Sequence, residues 1–249
     1  MLYRMRRFLV MLFLAVCWLP ASHAAGERVL RVAVLDNSPP MAFRDESGKL
    51  TGFSIEVIKA LCTEISARCV FQVISLDQAV NALASGQADI AGMSLLSTPE
   101  RRRKILFTQS YFRSVSLWFA KPGLAPGDAD ARVSVVKGSV QESFAVGRGW
   151  QVVPVPSNTE LLVPLVAGQA NAALVPMSSG LNIVQQPEMA KLKLSSVVMS
   201  DPVLGGDVSF GVAPNKPELK AEIDKALVRI KRNGVYDRLN SRFFPIRVN

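Results

Sequence analysis

VLRVAVL, residues 29–35, is a β-branched apolar run carrying a single charge, and it stops at the loop sequence DNSPP, residues 36–40. It reads as a buried strand followed by a loop. A turn follows at DESG, residues 45–48. The segment FSIEVIKALCTEI, residues 53–65, then sets Ile58, Leu61, Cys62 and Ile65 at helical spacing, and CVFQVI, residues 69–74, is a second strand. A strand, a helix and a strand in this order make a parallel unit. The alternation continues, because Asp77 caps a helix running to Ala84 with Gly86 at its end, and residues 89–96 form a third strand. The fold class is therefore α/β, with an open sheet.

Working outward from this unit, TPE at residues 98–100 starts a helix directly after the third strand, with a hydroxyl cap and proline at the first helical position. Arg101 then sits at a strand-to-helix crest. In doubly wound sheets this is the ligand-binding edge. SVSLWFA, residues 114–120, is a strand leading into KPGLAPG, residues 121–127, a Pro/Gly-rich break read as the passage to a second lobe.

A second α/β set begins there. Strands are expected at 132–136, 151–155 and 171–175, a helix opens at Gly138-Ser139-Val140, and 159–167 is mostly helical despite Pro164. Residues 208–213 carry the chain back to the first lobe. Residues 217–232 form the clearest helix, with Leu219, Ile223, Leu227 and Ile230 on one face and Gly234 past its end, and 235–244 form a last helix packed on the first lobe. The expected division is lobe 1 at 25–118 and 209–249 and lobe 2 at 119–208.

The first residues bound the compartment. Arg4, Arg6 and Arg7 precede an uncharged apolar stretch from Phe8 to Leu19, and then Ser22-His23-Ala24. This is the pattern of a secretory signal peptide cleaved after Ala24, too short to span a bilayer. Cys17 after Leu14-Ala15-Val16 is the alternative, a lipid anchor, but valine before the cysteine and tryptophan after it fit that poorly. Cleavage removes three arginines and no acid, so the net charge of +9 falls to +6, spread along the chain. No basic stripe interleaved with aromatics marks a nucleic-acid face. The only histidine, His23, also leaves with the signal, which excludes a His-based triad or a His-rich metal site in the mature chain. No cofactor or metal is expected. Cys62 and Cys69 are the cysteines that remain, and in an oxidising compartment a disulfide is expected, two buried thiols being the alternative.

Several short motifs in shared order resemble the extracellular solute-binding protein family 3, the receptors of polar amino acid ABC transporters. They are Arg31-Val32-Ala33-Val34 before Pro39-Pro40, Gly48-Lys49-Leu50-Thr51-Gly52-Phe53, Gly86-Gln87-Ala88-Asp89 and Thr98-Pro99-Glu100-Arg101. Phe107-Thr108-Gln109-Ser110-Tyr111, Gly138-Ser139-Val140 and the ending from Asn233-Gly234-Val235-Tyr236-Asp237 to Phe244-Pro245 complete the set. The resemblance implies a type II periplasmic binding fold, in which each lobe is an open, mainly parallel sheet flanked by helices and the lobes are joined by hinge strands. It implies a monomeric periplasmic receptor, working with an inner-membrane ABC permease and binding a small carboxylate-bearing solute. It also supports the Cys62–Cys69 bridge, since Ala60-Leu61-Cys62 to Cys69-Val70-Phe71 is especially similar to the histidine and lysine/arginine/ornithine receptors of this family, where a disulfide lies after this helix.

By the resemblance, Arg101 takes the ligand's carboxylate as a bidentate fork, and Ser139 with the amides around Val140 meets it from the second lobe. Ser94, Asp36 and Phe53 are the other expected ligand-binding residues. The chain departs from the family at the ammonium side. The position that usually holds an aspartate is Pro176, Leu35 and Ser38 fall where an aspartate and an aromatic are usual, and Met93, Ser94 and Leu96 make that face apolar. Asp36, Glu142 and Asp207 are the acids that would substitute. Two other roles stay open on the same fold: a ligand sensor acting with a separate kinase, and a dehydratase-like enzyme on prephenate or arogenate.

Overall fold

The computed structural model describes residues 27–248, so the signal peptide, its cleavage after Ala24 and Cys17 lie outside the described residues. The expected strand-helix-strand opening is present as β1 (Arg28–Val34), α1 (Phe53–Glu64) and β5 (Ala67–Val73), with β1 and β5 parallel. Three short antiparallel strands intervene, β2 (Asn37–Ser38), β3 (Ala42–Arg44) and β4 (Leu50–Thr51). They are too short for hydrophobic periodicity to reveal. A 3-10 turn at Leu76–Gln78 precedes α2 (Ala79–Ala84), so Asp77 lies within this turn instead of capping the helix. Next come β6 (Ile90–Leu96), α3 (Pro99–Arg102), β7 (Leu106–Phe107) and β8 (Phe112–Ser114).

The second lobe comprises β9 (Ser116–Ala120), β10 (Arg132–Val136), α4 (Val140–Gly147), β11 (Gln151–Val155), α5 (Val163–Val166), β12 (Ala172–Pro176), α6 (Met177–Ile183), α7 (Pro187–Lys191) and β13 (Ser195–Val198). The chain returns through β14 (Gly206–Val212), α8 (Pro217–Arg232) and α9 (Val235–Phe243). The first sheet runs β5-β1-β6-β14-β7, with β8 also paired to β14, and the second runs β11-β10-β12-β9-β13. In each, the strands from the βα units are parallel, while β14 and β9 run antiparallel to them.

Strand pairing corrects the expected lobe boundaries. Trp118 and Leu117 register with Leu174 and Val175 of β12, so all of β9 belongs to the second sheet, and Gly206 already pairs with Ser114 in the first. The chain therefore crosses at Val115 and Gly205. The 121–127 break is a loop inside the second lobe, because its proline and glycine signal marks the end of a strand and carries no information about which sheet that strand joins. The two crossings lie side by side: a Cβ on Gly205 would stand 3.1 Å from the Ser114 carbonyl oxygen and 3.6 Å from the Val115 Cα.

Phe53 anchors the first lobe. Fully buried, it stacks on Tyr111 at 6.0 Å and meets Tyr236 and Phe244 edge-on at 5.5 and 5.3 Å, which fastens α1 to α9 and the chain's end. Cys62 and Cys69 are disulfide-bonded, tying α1 to the edge strand β5. At the opposite end of β6, away from the cleft, Asp89 is buried and accepts from the Arg31 guanidinium Nη2 at 2.9 Å, the Arg31 amide at 2.7 Å and Lys216 Nζ at 2.7 Å. Burial pushes its carboxyl pKa up, but the hydrogen bonds from Arg31 and Lys216 outweigh this and hold it at about 2.

The folded pKa lies below the unfolded value near 3.9, so this stabilisation is complete above about pH 4 and is lost as pH falls through 2. Asp89→Asn is expected to cost about 2 kcal/mol at pH 7, and urea titrations of the wild type and the variant should converge as the pH is lowered to about 2.

Candidate functional site

The parallel strands of both sheets point their carboxyl ends at one cavity between the lobes, with Leu35 and Leu96 at the ends of β1 and β6 and Val136 and Pro176 at those of β10 and β12. Its space comes to about 750 Å³ when the open solvent at its mouth is counted in. The lobes are closed around it. Asn158 Nδ2 donates to Ser38 Oγ at 2.9 Å, and Lys137 Nζ pairs with Asp77 Oδ2 at 3.1 Å. A Cβ on Gly138 would stand 2.5 Å from the Asp77 Cα.

Arg101 is placed by the short helix that its own sequence predicts. Thr98 Oγ1 accepts from the Arg101 amide at 3.3 Å, and Pro99 holds the first helical position. The side chain turns into the cavity, donating from Nη1 to the Leu96 carbonyl at 3.1 Å and, across the lobes, from Nη2 to the Gly138 carbonyl at 2.9 Å. Two of its five N–H donors are thus used, and both acceptors are neutral. Burial lowers the guanidinium pKa from its ordinary value, and Glu100, its only coulombic support, is exposed. The guanidinium is still fully charged at neutral pH. Arg102, Arg103 and Lys104 of the same basic run are exposed and off the cavity wall.

Facing it, Ser139 caps α4. Its Oγ accepts from the Glu142 amide at 3.0 Å, while Glu142 Oε2 accepts from the Gly138 amide at 2.7 Å, a capping arrangement that fixes this helix start. The amides of Val140 and Gln141 have no intrahelical acceptor, and both residues line the cavity. Arg101 and the start of α4 thus bring a guanidinium and the positive end of a helix to the same cavity.

Of the six expected ligand-binding residues, Arg101, Ser139, Val140 and Ser94 line the cavity. Asp36 and Phe53 do not. Asp36 accepts from Arg44 Nε at 2.9 Å, both residues belonging to the small β2-β3-β4 region, and Phe53 is enclosed in the aromatic core. The chain bends at Asp36, between β1 and β2, so Leu35 and Ser38 reach the wall while the Asp36 side chain turns to Arg44. Phe53 lies on the core face of α1, where Ser54 is the residue that reaches the cavity. The other candidate acids are also occupied elsewhere, Glu142 at the α4 cap and Asp207 beside Arg113 on the surface. Among the described residues lining the cavity, Arg101 is the only one with a formal charge.

The remaining polar groups are neutral. Ser54 Oγ and Ser94 Oγ lie 2.8 and 3.0 Å from the Tyr111 hydroxyl, and burial pushes the Tyr111 pKa well above its ordinary value, so it stays protonated. On the second lobe Ser179 Oγ donates to Asn158 Oδ1 at 2.9 Å. Asn158, Ser178 and Ser179 were not anticipated. The signal for them was present, since each follows the carboxyl end of a parallel strand, β11 or β12, where ligand-facing groups concentrate.

Comparison with known proteins agrees with this architecture. Residues 30–246 match the model of the bacterial extracellular solute-binding proteins, family 3. The histidine-binding periplasmic protein of Salmonella typhimurium is 28% identical over 250 aligned positions, covering 95% of each chain. An ancestral arginine-binding protein solved with arginine superposes with a TM-score of 0.76 at 28% identity, covering 87% of this chain and 98% of its own. An ancestral amino acid-binding protein, described as a precursor of cyclohexadienyl dehydratase, superposes at 0.75 with 26% identity, covering 87% and 95%. A match over nearly all of the described chain, on a fold whose lobes enclose a single cleft, shows that the chain belongs to the bacterial extracellular solute-binding proteins of family 3.

Proposed function

We propose that this chain is an exported receptor, cleaved after Ala24, that closes on a small carboxylate-bearing solute in the periplasm and presents it to an inner-membrane ABC permease. The observation that carries the reading is Arg101, a partly buried guanidinium on the wall of the closed cleft with no acid bonded to it and donors to spare. A buried cation without a counter-ion is costly, so the site is completed by an anion. Two adjacent chain crossings, at Val115 and Gly205, and side-chain contacts across the cleft suit opening and closing around that anion. The chain works by binding, not by catalysis. In support, the described cavity wall carries hydroxyls, amides and one guanidinium, without the carboxylate, imidazole or thiol that general acid-base or nucleophilic chemistry uses.

Native mass spectrometry of the protein purified from its export compartment tests this. A co-purified solute bearing a carboxylate is expected, and its removal by unfolding and refolding should increase the radius of gyration measured by X-ray scattering as the lobes separate. A neutral or purely cationic solute would overturn the reading.

A further inference from the structure

From the charge balance of the closed cleft, we infer that the solute is a monocarboxylate with no cationic group, an apolar body and at most an uncharged hydroxyl or oxo substituent. The inference rests on the proposed carboxylate-receptor reading and narrows it. Arg101 supplies one positive charge and the α4 N-terminus a further positive end, while the described wall residues contribute no negative charge. A ligand of net charge −1 neutralises this cavity. A zwitterion brings in an ammonium group that meets no carboxylate there and is repelled by Arg101, and a dicarboxylate leaves its second anion without a cation.

The acids nearest in sequence are not in reserve, because Asp36 is held by Arg44 and Glu142 by the Gly138 amide. Leu35, Met93, Phe112, Leu174, Pro176 and Val208 give the rest of the wall an apolar character suited to a hydrocarbon body. The Ser54 and Ser94 hydroxyls, which both donate and accept and are backed by the buried Tyr111 hydroxyl, are the neutral partners for one oxo or hydroxyl group.

The test is calorimetry on matched acids that differ only at the α-substituent: 4-methyl-2-oxopentanoate, 2-hydroxy-4-methylpentanoate and L-leucine, then phenylpyruvate, 3-phenyllactate and L-phenylalanine. The oxo or hydroxy member of each set of three is expected to bind about 100-fold tighter than the amino acid, the size of penalty an unpaired buried charge imposes. Equal or tighter binding of the amino acid would overturn the inference. So would silence of every oxo and hydroxy acid at millimolar concentration. Neither result touches the parent reading, which falls if the co-purified solute lacks a carboxylate or if Arg101→Ala binds it as the wild type does.

A variant reads the missing acid directly. Pro176 lines the cavity and is the N-cap of α6 at φ −67°, ψ 146°, a conformation that aspartate favours at this position. Pro176→Asp is expected to raise leucine affinity at least tenfold and to weaken the oxo acid. Unchanged discrimination in a variant of normal Tm would overturn the claim that the absence of a wall carboxylate selects the ligand.

Discussion

Arg101→Ala is expected to weaken binding of the native solute by about 30-fold or more while leaving the fold intact. Removing one partner of a buried, hydrogen-bonded charge pair costs about 2–5 kcal/mol, much of it because the ligand's carboxylate is left desolvated without a counter-ion. The empty protein has the opposite interest. Its guanidinium is partly buried, held only by the Leu96 and Gly138 carbonyls, and burial already lowers its pKa. The variant's Tm without ligand should therefore be unchanged or higher, and its gain in Tm on adding ligand should disappear. Arg101→Lys is expected to fall between the two, because an ammonium is a point charge without the planar fork. Wild-type affinity in Arg101→Ala, measured by calorimetry, would remove the carboxylate assignment.

Gly138→Ala is expected to weaken binding by more than tenfold through closure instead of contact. Gly138 has φ +76°, and in the closed arrangement an added Cβ would stand 2.5 Å from the Asp77 Cα of the other lobe. Backbone on both sides leaves no flexible side chain to move aside. With the lobes apart the collision vanishes, and only the left-handed backbone penalty of about 1–2 kcal/mol remains. A substitution that depopulates the closed state lowers apparent affinity by the same factor. Gly149→Ala separates the two effects, since it has φ +72° with nothing within 4 Å of the added Cβ. Both variants should lose similar stability, and only Gly138→Ala should lose affinity and the ligand-induced compaction seen by X-ray scattering.

The sequence made the two βα sets, the α3 start at Thr98-Pro99 and α8 legible because each rests on local chemistry: a β-branched run, a cap, or an apolar stripe. The lobe boundary was less legible. Residues 114–120 read as one strand, but the chain changes sheets at Val115, and only pairing partners reveal that. α6, α7 and the edge strand β13 were passed over, the last being exposed along its whole length and so without an apolar pattern to find.

At the site, Arg101 and Ser139 were readable from helix starts at strand ends. Asp36 and Phe53 were assigned from residue type and motif, whereas side-chain direction decides which of two adjacent residues reaches a cavity: Leu35 over Asp36, Ser54 over Phe53. The departure at Pro176 was visible as a missing acid. The closed cleft adds that nothing nearby replaces it, because every acid considered as a substitute already has another partner.

The most direct test is a crystal structure of the protein with its co-purified solute. A carboxylate within about 3 Å of Arg101 Nη or Nε, facing the α4 amides, with no cationic atom on the ligand, is the predicted result. A solute whose ammonium group rests against Ser94 and Pro176, or whose carboxylate lies away from Arg101, would contradict it.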